Sequence, residues 1–191
     1  FYMAMQISGV TIQGGMNILP AGGAPSPTPG GVSDGYTSGG GDISDTKYST
    51  IQSFPFSSDG NASDVGNLSA IILGQASQSS TTSGYASGGS GPGFSDVIDK
   101  FPFASSTSGT DVGNITSARS VAAGNSSADN GYISGGAFGG IIEKFPFASD
   151  GNSASVGNLS QDRGYAAGQN SSSHGYNSGG HDRSPANTGP V

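Results

Sequence analysis

Lys100-Phe101-Pro102-Phe103-Ala104 recurs as Lys144-Phe145-Pro146-Phe147-Ala148 and, with both flanks changed, as Ser53-Phe54-Pro55-Phe56-Ser57. Two further motifs travel with it. Val65-Gly66-Asn67-Leu68 returns as Val112-Gly113-Asn114-Ile115 and Val156-Gly157-Asn158-Leu159, and Gly-Tyr-x-Ser-Gly-Gly begins at Gly35, Gly84, Gly131 and Gly175. From the first Phe to the Gly of Val-Gly-Asn is always 12 positions, and from that Phe to the next Gly-Tyr always 30. From Gly-Tyr to the following Phe the interval drifts through 19, 17 and 14. A disordered tract has no reason to lock two intervals and release a third. A folded repeat of about forty-five residues does.

The secondary structure of the unit follows by elimination. The chain holds 35 glycines, and each Gly inside a helix costs about 1 kcal/mol relative to Ala. Short strands joined by turns remain. Phe101 and Phe103 fall on one face of such a strand because side chains alternate. Pro102 lacks a ladder donor, which predicts that this strand lies at a sheet edge or carries a bulge there. Asp59-Gly60-Asn61 and Asp150-Gly151-Asn152 supply turn chemistry after it. Further strands are expected over 111–116, 120–124 and 131–134. Four strands per unit fit a propeller blade better than the shorter coil of a solenoid.

The run Tyr-x-Ser-Gly-Gly, strand, turn, Leu/Ile-Thr/Ser-x-x-Arg and then an Ala-rich strand resembles the kelch repeat. Arg119 and Arg163 match its Arg position, Ile72 stands near it in the first unit, which departs from the pattern, and the kelch Trp is absent. The longer series Phe-Pro-Phe-Ala-Ser-Asp-Gly-Asn, Val-Gly-Asn-Leu and Gly-Tyr-x-Ser-Gly-Gly is similar to repeats in virion structural proteins of marine tailed phages, of the tail-fibre or head-decoration type. The likeness spans about residues 35–180. It implies an all-β, kelch-like propeller, or part of one, built of four-stranded repeats with an extended N-terminal arm.

The expected organisation has three parts. Residues 1–34 form a β-like stretch, carrying Ile7, Val10 and Ile12 as an assembly arm, followed by the Pro/Gly-rich linker Pro20 to Pro29. Docking on a neighbour and completion of the last blade are equally open roles for that arm. Residues 35–180 form the repeat domain, with units at about 48–89, 94–136 and 138–180, and residues 181–191 form a tail. Four Gly-Tyr motifs against three Phe-Pro-Phe strands leave the ring short, since about four blades is the lower limit. Either the N-terminal segment or further copies must complete it.

Composition narrows the function. Thirteen acidic against six basic residues give a net charge of −7, which repels a phosphate backbone and argues against nucleic acid. No run approaches the roughly 18 apolar residues of a membrane span, and Phe1 to Met5 shows no signal-peptide pattern. With no cysteine, thiolate chemistry is excluded. His174 and His181 lack repeated partners, and Asp59, Asn61 and Asp64 offer Ca²⁺-type oxygens, but the third unit has Asp150 and Asn152 with Ser155 and the second has Ser-Thr-Ser-Gly there, which points to turn residues. No catalytic, cofactor or metal residue is therefore expected, and the chain is read as a non-enzyme. Phe54, Phe56, Tyr85, Phe101, Phe103, Tyr132, Phe145, Phe147 and Tyr176 are expected to pack repeat on repeat, with sugar stacking as the alternative role of the tyrosines. The expected function is that of a virion subunit, a fibre, decoration or tail-associated protein on an extracellular particle. Its expected partners are copies of itself, other virion proteins and host-surface polysaccharide. A cellular kelch-like protein- or glycan-binding module is the alternative.

Overall fold

The computed structural model describes residues 34–137 and 139–181. The arm with Ile7, Val10 and Ile12, the proline-rich linker and the tail beyond 181 lie outside the described residues. Within them the protein is all-β. In chain order the strands are β1 (Asp34–Ser38), β2 (Thr50–Pro55), β3 (Ser63–Asn67), β4 (Ala76–Ser79), β5 (Ser83–Ser87), β6 (Val97–Pro102) and β7 (Thr110–Asn114). There follow β8 (Ala123–Ser126), β9 (Asn130–Ser134), β10 (Ile141–Pro146), β11 (Ala154–Asn158), β12 (Gly164–Asn170) and β13 (Gly175–His181). They pair as antiparallel meanders in four sheets, β1-β2-β3, β4-β5-β6-β7, β8-β9-β10-β11 and β12-β13. A repeat period has no phase of its own. The hydrogen bonding starts each complete sheet at the Ala-rich strand and ends it at Val-Gly-Asn.

The Phe-Pro-Phe strands β2, β6 and β10 are central, not at edges, and the prolines close them. Phe103 N–H reaches Thr82 O at 2.9 Å on the β5 side, so alternation turns the position of the missing Pro102 donor toward β7. Pairing with β7 stops at Lys100–Thr110, and no ladder bond is lost. The expected bulge exists but sits upstream, at Ile51/Gln52, Ile98/Asp99 and Ile142/Glu143.

The glycines of the motifs have separate physical reasons. Gly35, Gly84 and Gly131 stand in register opposite Phe54, Phe101 and Phe145. A Cβ at any of the three would lie 2.5 Å or less from that ring, so the phenylalanine fills the place of the side chain its partner lacks. In the Ser-Gly-Gly turns both glycines take positive φ, from 58° at Gly39 to 118° at Gly136, a region L-residues avoid. The second Gly N–H then binds the carbonyl of Ile72, Arg119 or Arg163.

The sheets stack in sequence, and two hydrophobic clusters lie between them. Ile51, Leu68, Ile72, Ala86 and Phe101, flanked by Tyr36, Val65 and Phe103, fill the first joint. Ala76, Tyr85, Ile98, Ile115, Ile133 and Phe145, flanked by Val112, Ala122 and Phe147, fill the second. The first strands of the sheets, β4, β8 and β12, lie side by side. There Gln78 donates to Tyr132 O at 3.1 Å, and Asn125 donates to Gln169 O and Tyr176 O. No strand pairing joins β12–β13 back to β1–β3 among the described residues.

Candidate functional site

The chemistry of this chain is concentrated in the joints. Each joint stacks the Tyr of one sheet on the two Phe of the next. Tyr36 lies 5.9 Å from the Phe101 ring and 4.6 Å from Phe103; Tyr85 lies 5.3 Å from Phe145 and 4.9 Å from Phe147. Aromatic pairs at such spacings add about 0.5–1.5 kcal/mol beyond area burial. Burial pushes the Tyr85 phenol above its ordinary pKa.

A polar clamp sits beside each aromatic stack. Two residues before the first Phe the three units carry Gln52, Asp99 and Glu143. The Glu143 side chain is wholly buried. It accepts from Thr116 N (2.8 Å), Thr116 Oγ1 (2.6 Å), Arg119 Nη1 (2.5 Å) and Ser153 Oγ. Burial pushes this carboxyl up, but the bonds from Ser153, Thr116 and Arg119 outweigh it and hold the pKa below its ordinary value. Thr116 and Arg119 follow β7 while Glu143 stands on β10, so the clamp ties one sheet to the next. In the first joint Asp99 accepts from Ser69 N and Oγ, both at 2.9 Å. Ile72 stands where Arg119 does, and Asp99 Oδ1 is left buried without a donor.

Among the described residues the third joint is built but not filled. Tyr132, Ile142 and Leu159 occupy the places of Tyr85, Ile98 and Ile115, yet all three are only half-buried. Val156, the counterpart of Val112, is 50% exposed. Gly66 and Gly113 press on backbone of the next sheet, whereas a Cβ on Gly157 would meet nothing within 4 Å. A groove of about 360 Å³ opens here, lined by Tyr132, Ile142, Leu159, Gly175 and Asn177. Arg163, in the clamp position, donates to Gly179 O and Gln161 Oε1 and meets no carboxylate among the described residues. At the opposite end Phe54 and Phe56 contact each other edge-on at 5.6 Å, with Phe56 69% exposed. A second hollow, of about 420 Å³, is lined by Tyr36, Gln78, Ser79 and Asn125 and by Gly168 and Asn170 of β12.

The structure thus divides the expected packing residues. Tyr85, Phe101, Phe103, Phe145 and Phe147 meet in filled joints; Tyr132, Tyr176, Phe54 and Phe56 stand at the open ends. Gln52, Asp99, Glu143, Thr116 and Ser153 were not singled out from the sequence. For Gln52, Asp99 and Glu143 the signal was a polar residue held two positions before the first Phe in every unit; Thr116 and Ser153 lie in loops and carried none.

Of the other candidates, Asp64 accepts from Gly66 N at 3.1 Å and steadies its bulge, as Asp111 does for Gly113. His174 pairs with Ser173 Oγ at 2.8 Å, and His181 stacks on Tyr165. Among the described residues no group of three or more His, Asp or Glu is placed to hold a metal ion, and no helix is long and apolar enough to cross a membrane. A scan against family models and a search of curated proteins each give no match.

Proposed function

We propose that the chain is a structural virion subunit, of the fibre, decoration or tail-associated kind, that works by assembly and by presenting polar loops to a host surface. The observation that carries this is where the locked residues go. Tyr, Phe-Pro-Phe, Gly-Gly and the clamp residues are consumed in joints between sheets, and among the described residues the same joint is left open at both ends of the array. Exposed segments rich in Ser, such as 171–174, lie apart from the filled joints and differ in sequence between units. Such hydroxyls and amides suit adaptable hydrogen bonding to polysaccharide. Kelch-like blades completed into a ring, by the N-terminal segment or by further copies, belong to the same proposal, and catalysis does not. Peptide mass spectrometry and cryo-EM of purified tailed-phage particles encoding the chain test it. A defined copy number is expected, and absence from the particle would overturn the virion assignment.

The 420 Å³ hollow with its tyrosine and amide lining favours one second reading, a glycan-binding module that acts as a free monomer. A glycan array on the isolated chain separates the two. A ligand bound by the monomer, with no particle association, selects the second.

A further inference from the structure

Ser-Asp-Gly-Asn occurs twice in the chain, as Ser58-Asp59-Gly60-Asn61 and as Ser149-Asp150-Gly151-Asn152, with the Asp five positions after the first Phe of its unit both times. We propose that Asp59 is a site of spontaneous covalent modification, which turns its link to Gly60 into an isoaspartyl bond. Asp150, in the same tetrapeptide, is protected because the second joint pins its turn.

The chemistry needs only the dipeptide and freedom to turn. Glycine has no Cβ to shield its peptide nitrogen and has the widest backbone range of any residue. The Gly60 nitrogen attacks the Asp59 carboxyl carbon. A C–N bond forms, and the amide proton and the carboxyl hydroxyl leave together as water. The five-membered succinimide so formed takes water back at either of its carbonyls. Opening at the former main-chain carbonyl leaves Gly60 joined through the Asp59 side chain and frees the main-chain carboxylate. The water lost is regained, so mass and net charge are unchanged, and no oxidant, cofactor or enzyme takes part. Bringing nitrogen to carboxyl requires the backbone to swing, and a turn held by its neighbours must open first.

The turn at Asp150 is held by the sheet before it. Lys100 Nζ lies 2.9 Å from the Asp150 carboxylate. Gly113 presses on the Gly151 carbonyl, where a Cβ would lie 2.3 Å away. Asn114 N donates to Asn152 Oδ1 at 2.9 Å, and Ser153 N donates to Asn114 O at 2.9 Å. Carboxyl, carbonyl and the two following residues are each fixed.

The turn at Asp59 has none of these ties. Residues 56–64 are exposed, and no ion pair reaches Asp59 among the described residues. A Cβ on Gly60 would meet only Pro55, of the strand it follows, at 3.4 Å. The other two steps of this kind, Asp34-Gly35 and Asn130-Gly131, lie in β1 and β9. Their glycines stand in ladders opposite Phe54 and Phe145, so strand pairing fixes both. Asp59 is the step whose backbone can move.

The test ages the full chain at neutral pH and body temperature, folded and, in parallel, unfolded in urea. Isoaspartyl groups are counted by methyl transfer from S-adenosylmethionine with a purified isoaspartyl methyltransferase, and located by electron-transfer fragmentation of the tryptic peptides. In urea the two Ser-Asp-Gly-Asn sites should react alike, since their immediate neighbours match. In the folded chain Asp59 should stay within about threefold of its urea rate, while Asp150 slows about tenfold or more. Gly60→Ala, an exposed change with room for its Cβ, should suppress the product at Asp59 and leave Asp150 as it was. Equal rates at the two sites in the folded chain overturn the inference. So does an Asp59 slowed by folding as much as Asp150, because its turn is then held as well.

Discussion

Replacing Arg119 by Met removes one of four donors from a fully buried carboxylate. Glu143 keeps Thr116 N, Thr116 Oγ1 and Ser153 Oγ. Removing one partner of a buried ion pair ordinarily costs about 3–5 kcal/mol. Two features place this case at or below the low end. Three donors remain, and methionine also removes Arg119 Nε and Nη2, which are buried without partners. A loss of about 2–3 kcal/mol at pH 7 follows, about 5–10 °C in Tm for a chain of this size. Glu143→Gln strands a guanidinium whose only other bond is to Ser117 O at 3.4 Å, and costs about 3–5 kcal/mol. The double variant should cost less than the sum of the two by about 2 kcal/mol, because neither charge is then left alone. Acid sharpens the test. The folded pKa of Glu143 lies below its ordinary value of 4.5, so its contribution is complete above that value and disappears as pH falls through the folded one. The penalty of Arg119→Met should therefore shrink between pH 7 and pH 3 in urea unfolding. Additive single variants, or a penalty indifferent to pH, would refute the clamp as an inter-sheet tie.

Gly113→Ala should cost about 3 kcal/mol or more in urea unfolding, because its Cβ meets the Gly151 carbonyl, while Gly157→Ala at the same motif position should be near neutral. Val121→Gly should raise stability by about 1 kcal/mol in calorimetry. Val121 holds φ at 55°, a strained region for a β-branched residue, and the relief outweighs the loss of a half-buried isopropyl group. Tyr85→Ala, at 3% exposure between Phe145 and Phe147, should cost about 3–5 kcal/mol, whereas Tyr176→Ala at 54% exposure should cost under about 1. Equal costs at the two tyrosines would contradict an open end at β13.

Much of the strand content was legible because the locked intervals carry residues with one physical purpose each. Phe101 and Phe103 announce a shared face by alternation alone. What stayed hidden depends on partners far away in the chain. The position of Pro102 could not be resolved because centre or edge is decided by where β7 stops, not by the proline. The clamp joins Arg119 to Glu143, 24 positions apart, across two sheets whose adjacency no local pattern reveals. The sharp turn at Val121 was hidden differently. Gly74, Val121 and Tyr165 are equivalent and hold φ of 68°, 55° and 60°, yet only the first is glycine.

That last position shows how the array tolerates strain. Val121 N–H donates to Gly74 O at 2.6 Å, and Tyr165 N–H donates to Val121 O at 2.9 Å, so the left-handed residue of each sheet is bonded to that of the sheet before. A residue in this region costs about 1–3 kcal/mol and persists only where its surroundings over-determine it. Here the surroundings are the next copy of the same unit. Each sheet supplies the bond that holds its predecessor's turn, the rings that cover its tyrosine and the acid that clamps its last loop. A single sheet therefore lacks the contacts that stabilise its own conformation, and order spreads by neighbour contacts along the array. The same dependence shows at the last joint, where among the described residues Tyr132, Ile142 and Leu159 stay half-buried while their counterparts Tyr85, Ile98 and Ile115 are buried.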